Sequence, residues 1–354
     1  MAVNNELIKD DLYEAVNGGW LKTAKIPDDK PATGGFNDLV NEIDKQLMDD
    51  FDAYATGKEK SDDSRFNEMI KLYRLAKKFD WRKKVGPQPL KRMLASVENL
   101  NSYEDYQSQW KNWILAGMPS PISFDIDADM KNATVYALFA SSPSLILPDK
   151  SYYEAEKKAQ HDQLLQLWSS MVEALMDKLG YSKEEAKKII DDAIKFDALL
   201  APNVKSAEEA ADYSKMYNPQ TVAELASATD QLDIAAIIKQ LVGEELEKVI
   251  VTEPEYFKAL NKILQDNFEL FKNWALIRVI RENASYLDDE MREINGRYGR
   301  ALSGSKKPVS QRKYAFYLAR DMFSQVAGEY YGKKYFGPQA KADVHHMVEQ
   351  MIKV

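Results

Sequence analysis

Apolar residues recur at three- and four-residue spacing along almost the whole chain, and this pattern restricts the fold more than any other feature. Phe36, Leu39, Val40, Ile43, Leu47 and Phe51 form one stripe; Phe66, Met69, Ile70, Tyr73 and Ala76 form a second. A third joins Leu164, Trp168, Met171, Val172, Leu175 and Leu179. Residues so spaced share one face of an α-helix, and that face must be buried against a neighbour. The spacing predicts helices over residues 36–54, 64–79, 102–116, 164–179 and 182–200, and over most of 254–302, 310–331 and 338–354. Gly180 stands where a C-cap glycine belongs, Ser182 with Glu185 reads as a capping box, and Pro89 and Pro254 can each open a helix. Residues 218–226 and 232–241 read as shorter helices. The expected fold class is mainly α, a large multi-helix body.

One segment breaks the pattern. In residues 121–140, Ile122, Phe124 and Ile126 alternate with Ser123, Asp125 and Asp127, and a β-branched and aromatic run, Thr134-Val135-Tyr136, follows a polar turn at 129–132. This predicts a small β-hairpin, about 122–140, with a loop longer than two residues. An extended, Pro-punctuated connector, "SSPSLILPDKSYY", comes next. No internal repeat or low-complexity segment is present.

The 354 residues are 45% hydrophobic and 29% charged, enough for a sizeable core in a globular chain. The net charge of −8 argues against a nucleic-acid partner, which needs a clustered positive field. The one basic cluster, Lys306, Lys307, Arg312 and Lys313, reads as a solvated loop and helix start. There is no cysteine, which excludes disulfides, thiolate metal ligands and Cys nucleophiles and leans towards a reducing compartment. The N-terminal residues show neither a basic leader nor a signal-length apolar core, and no apolar run approaches the ~18 residues that span a bilayer. A cytoplasmic location without a membrane partner is the expectation.

No complete catalytic constellation is visible. The histidines are His161, His345 and His346. A helical metallopeptidase site needs His-Glu-x-x-His, which sets both imidazoles on one helix face. "HHMVE" at 345–349 comes nearest, but no second His follows Glu349, and Gln350 spoils the inverted motif. His345 and Glu349 read instead as an exposed i,i+4 pair, and His161 as a surface residue. Asp125 and Asp127 lie along one strand face, as solvated residues do. Phosphate-cradling glycine loops, a Ca²⁺ loop and a nucleophile elbow are all missing. Catalytic residues: none; metal ligands: none; the substrate-binding residues stay unknown.

The N-terminal stretch "VNGGWLKTAKIPDDKPATGGFNDL", residues 16–39, is rich in Gly and Pro yet carries Trp20, flanked by Leu21 and Ile26. It reads as an irregular arm over residues 1–35. Trp20 would be buried, Gly18 and Gly19 would permit close backbone packing, and Gly34-Gly35 would precede the first long helix. The last helix has no stop signal, which fits either a fraying natural terminus or a chain cut within a longer protein.

Several stretches together resemble one family. Asp11-Leu12-Tyr13, Val16-Asn17-Gly18, Trp20-Leu21 and Ile26-Pro27 are similar to the opening of neprilysin-type zinc metallopeptidases, which include endothelin-converting enzymes and bacterial oligoendopeptidases O. "LILPDKSYY" at 145–153 resembles that family's Leu-x-Leu-Pro-Asp-x-x-Tyr-Tyr signature, "FDALLA" with "MYNPQTVAEL" its helix-then-Tyr-Asn segment with Asp197 where Glu is usual, and "VTEPEYFKAL" its Pro-x-Tyr-Phe helix start. The matches keep the family's order and cover only its N-terminal portion.

The resemblance implies a two-lobed enzyme. Residues 36–354 would form the helical lobe without zinc, which gates access by size. The arm would pack on the catalytic lobe, and the catalytic zinc domain, with its His-Glu-x-x-His, would lie beyond residue 354. The chain would then be truncated. Zinc would belong to the full-length enzyme and not to this chain, and the substrates would be oligopeptides. Arginines that anchor a substrate carboxylate in some relatives are matched here by Ala32 and Val40, which leans towards an endopeptidase. The alternative is a standalone helical binding or scaffold module.

Overall fold

The computed structural model describes residues 3–229 and 232–353. The chain divides into two compact units, one formed by residues 85–298 and the other by residues 1–84 together with 299–354. This division falls elsewhere than the arm-and-lobe boundary at 35/36.

The continuous unit is built around the helix Phe268–Ala284, which buries Phe271, Trp274, Ala275, Ile277, Val279 and Ile280. A helix apolar on nearly every side has to sit in the middle of its neighbours. Here the helices Gln88–Glu98, Lys158–Leu179 and Lys183–Leu200 pack against it. The predicted stops and starts are in place. Gly180 ends its helix at φ 91°, and Ser182 Oγ accepts from Glu185 N at 3.2 Å while Glu185 Oε2 accepts from Ser182 N at 2.9 Å.

The hairpin is β1 (Ser123–Asp129) and β2 (Asn132–Ser141), antiparallel, with Phe124 opposite Ala140 and Ile126 opposite Leu138. Only Met130 and Lys131 connect the strands, so the loop is tighter than expected, and the register slips at Ala128/Asp129 instead. Ile126 and Tyr136 stay exposed, so the expected apolar face fails towards the hairpin tip. Two further strands complete a sheet of order β1-β2-β4-β3: β3 (Pro219–Thr221) and β4 (Lys248–Val251), the latter parallel to β2. Residues 219–221 were expected to open a helix, which in fact starts at Val222. Strands of three or four residues are too short to show alternation, and Pro219 sits on the edge strand, where a missing N–H does no harm.

The second unit joins the helices Gly35–Thr56 and Ser64–Ala76 to Gln311–Met322 and Ser324–Tyr331. Leu47, Met48, Phe51, Phe66, Tyr73 and Phe316 form its core. Phe51 sits edge-on to Phe66, Tyr73 and Phe316 with centroids 5.2–6.2 Å away. The arm is less irregular than expected, because Leu12–Leu21 is a helix whose N-cap Asp11 accepts from Glu14 N at 2.8 Å. Gly18 and Gly19 lie inside it. A Cβ on Gly19 would meet nothing within 4 Å and one on Gly18 only the Glu14 side chain, so close packing does not explain them.

The basic cluster is engaged rather than merely solvated. Lys307 pairs with Asp28 at 2.7 Å, Lys313 with Asp29 at 2.6 Å and Arg312 with Asp49 and Asp52. The helix Gly337–Lys353 buries no residue and exposes Val344, Met347, Val348, Met351 and Ile352.

Candidate functional site

The connector over residues 142–153 is too rich in proline to join a ladder, so its backbone N–H groups need other acceptors. Carboxylates supply them. Glu253 accepts from Ser142 N at 3.1 Å, Asp197 from Ile146 N at 3.1 and 3.0 Å, and Asp149 from Ser151 N at 2.8 Å. Two of these acids fix a second strand of chain as well: Glu253 accepts from Lys205 N at 2.7 Å and Asp149 from Ala207 N at 2.6 Å. Tyr298 Oη donates to Ile146 O at 3.2 Å.

Asp197 is the centre of this arrangement. It is 1% exposed and accepts from Tyr153 Oη as well as from Ile146. Burial pushes its carboxyl up to about 6, while the Tyr153 and Ile146 hydrogen bonds pull the other way. Burial and the Asp197 charge push the Tyr153 phenol far above its ordinary range. Two stretches singled out in the sequence, "LILPDKSYY" and "FDALLA", therefore meet at one buried carboxylate.

Beside the connector lies a cleft of about 240 Å³, lined among others by Ser144, Ile146, Trp168, Trp274, Arg278 and Arg281. Arg278 stacks on Trp274 at 4.9 Å, donates to Ser144 O at 3.1 Å and pairs with Glu282 at 3.1 Å. Sequence reading missed both arginines. Their signal was their position: two guanidinium groups in "ALIRVIR", an otherwise apolar run of the helix.

His345 Nδ1 lies 3.3 Å from Glu349 Oε1, and both side chains are exposed, the surface pair expected. His346 is exposed on the same helix. His161 differs from expectation: it is half-buried, edge-on to Tyr153 with centroids 5.8 Å apart, and 3.0 Å from Asp162. Asp125 and Asp127 are exposed and, among the described residues, accept only from the next residue's N–H, at 2.9 and 2.7 Å. The neighbouring Asp129 is the buried one. It holds Lys248 at 2.8 Å and Tyr217 at 3.0 Å, and the Lys248 ammonium pulls its carboxyl down to about 2. Ala32 and Val40 are both exposed, and Trp20 is half-buried. Among the described residues no three His, Asp or Glu side chains are placed to hold a metal ion. The donor set of those described residues does not fit a zinc site.

This helical body, with its four-stranded sheet and carboxylate-pinned connector, is the N-terminal lobe fold of zinc peptidases. It superposes on PEPO from Lactobacillus rhamnosis HN001 with a TM-score of 0.89 at 30% identity, over 98% of this chain and 54% of that one. Mycobacterium tuberculosis zinc metalloprotease ZMP1, solved with an inhibitor, shares the fold with a TM-score of 0.84 at 23% identity, over 97% and 52% of the two chains.

The chain belongs to peptidase family M13, whose family model matches residues 8–354. It is 38% identical over 349 residues to a neutral endopeptidase of Lactococcus lactis, covering 98% of this chain and 55% of that protein. The chain spans about half the length of these relatives. No helix among the described residues is long and apolar enough to cross a membrane.

Proposed function

We propose that this chain is the substrate-gating N-terminal region of a cytoplasmic, zinc-dependent metalloendopeptidase that hydrolyses oligopeptides. The observation that carries this reading is the family match over residues 8–354. The zinc of the full-length enzyme would polarise the scissile carbonyl and activate water, and it would be held by residues outside this chain. The role of this chain is to shape and close the space in which a peptide is held. Exposed apolar side chains on the arm, among them Leu12, Tyr13, Val16, Leu21 and Ile26, support its packing on a catalytic lobe. Ala32 and Val40, which offer no charge to a substrate carboxylate, support internal cleavage.

The test compares two proteins. The 354-residue chain, purified and assayed alone, is expected to hold no stoichiometric zinc and to leave a fluorogenic oligopeptide intact. The full-length enzyme is expected to cleave it and to lose that activity to a chelator. Zinc-dependent turnover by the 354 residues alone overturns the proposal. A stop codon directly after Val354 in the gene favours the standalone binding module.

A further inference from the structure

We propose that the cleft beside the connector is a carboxylate-binding subsite, in which Arg281 pairs a singly charged carboxylate and the apolar walls take the body that carries it.

Arg281 is the observation behind this. It is half-buried, and its Nε is shut off from solvent without a hydrogen-bond partner. Among the described residues its side chain makes no hydrogen bond and no ion pair, whereas Arg278, one helical turn away, is held by Ser144, Glu282 and the face of Trp274. A guanidinium does not shed its proton in a protein, so it cannot escape burial by becoming neutral. A polar N–H shut away from water without a partner is costly, and an anion that accepts from it relieves that cost. The Glu282 carboxylate and the Tyr298 phenol act on Arg281 through space, but neither hydrogen-bonds it. Glu282, the acid that lines the same cleft, is already engaged by Arg278.

The shape and charge of the cleft narrow the class of anion. Leu145, Ile146, Trp168, Ala193, Trp274 and Ile277 give the cleft an apolar part that suits a hydrocarbon body, beside the polar Ser144, Arg278, Arg281 and Glu282. Arg281 offers one positive charge without a hydrogen-bonded partner, and Glu282 in the same lining stands against a second negative charge on the ligand. A monoanionic carboxylate on an apolar group meets both conditions, whereas inorganic phosphate has no apolar body and is in part a dianion at neutral pH. A planar carboxylate also fits the guanidinium fork. The ligand is either a small free acid or the C-terminal end of a peptide.

Calorimetric titration of the 354-residue chain tests this with four probes: N-acetyl-leucine, N-acetyl-leucinamide, N-acetyl-Ala-Ala-Leu and inorganic phosphate. N-acetyl-leucine is expected to bind saturably and its amide at least about tenfold more weakly, the order of effect of a hydrogen bond to a charged group. Phosphate is expected to bind more weakly than the acid. Arg281→Met should lose at least about tenfold in affinity for the acid while melting no lower than the parent, since it removes an N–H shut from water without a hydrogen-bond partner. Arg281→Lys should keep part of the affinity.

Equal binding of acid and amide, unchanged binding in the Met variant, or phosphate binding as tightly as the acid each overturns the assignment. The acid–amide comparison needs no variant, so a folding failure cannot hide the answer. The tripeptide identifies the source: affinity equal to or above that of N-acetyl-leucine marks a peptide end, and weaker binding marks a small acid. None of these readouts depends on peptide hydrolysis, so the subsite and the peptidase reading stand or fall separately.

Discussion

Asp197 accepts from a backbone N–H and a phenol, yet burial still dominates its titration. Its carboxyl is raised from 3.8 to about 6. Between those values the folded chain binds more protons at this site than the unfolded chain, so its contribution to stability is complete below about pH 4 and falls as pH rises through about 6. Asp197→Asn removes the titration. The stability of the parent relative to this variant is therefore expected to drop by roughly 3 kcal/mol between pH 4 and 7 and then stay level. Urea unfolding of both proteins across that range checks it, and parallel profiles would refute it. Asp129 works in the opposite sense. Its carboxyl is lowered to about 2, so its contribution is present above pH 4 and lost as pH falls through 2. The importance of Asp197 was legible only as a family position. Its role was not, because the acceptors of a proline-rich connector lie far off in sequence. Arg281 was legible only as a guanidinium within an apolar run, and not as a group without a partner, which is defined by what surrounds it.

Elements with a strong local signal formed where the sequence placed them. Gly180 adopts φ 91° and Ser182 closes its capping box. Gly180→Ala is expected to cost about 1–2 kcal/mol, because a Cβ is strained in the left-handed region, and Ser182→Ala about 1 kcal/mol. Urea midpoints at constant m-value measure both. What stayed hidden lacked such a signal. The strands Pro219–Thr221 and Lys248–Val251 take their conformation from pairing with distant chain rather than from local pattern. The arm helix Leu12–Leu21 was hidden by Gly18 and Gly19, which disfavour a helix interior, and its apolar residues are largely exposed. Gly19 is helical and meets nothing within 4 Å. Gly19→Ala is therefore expected to raise stability by roughly 0.5–1 kcal/mol. A loss of stability on that substitution would show that the arm is not helical in solution.

At the scale of the molecule, the two units differ in how the chain builds them. Residues 85–298 form one without interruption, and its core, from Leu90 to Tyr298, is complete within that stretch. The other is discontinuous. Phe51, Phe66, Met69 and Tyr73 come from the first 84 residues, while Ala315, Phe316, Ala319 and Ala327 come from after residue 299. Ion pairs repeat the same stitching: Arg312 to Asp49 and Asp52, Arg320 to Asp44 and Lys334 to Asp50. The helical periodicity announced both sets of helices but not which would pair, because a stripe states that a face is buried and not against what. Residues 85–298 expressed alone are therefore expected to unfold in one cooperative transition with a native-like spread of amide resonances. Residues 1–84 alone should not, because the apolar faces around Phe51 and Phe66 would lie open to water. Mixing 1–84 with 299–354 should restore helical circular dichroism beyond the sum of the separate spectra. Independent folding of 1–84, or a disordered 85–298, would mean that the division does not describe how the chain is held together.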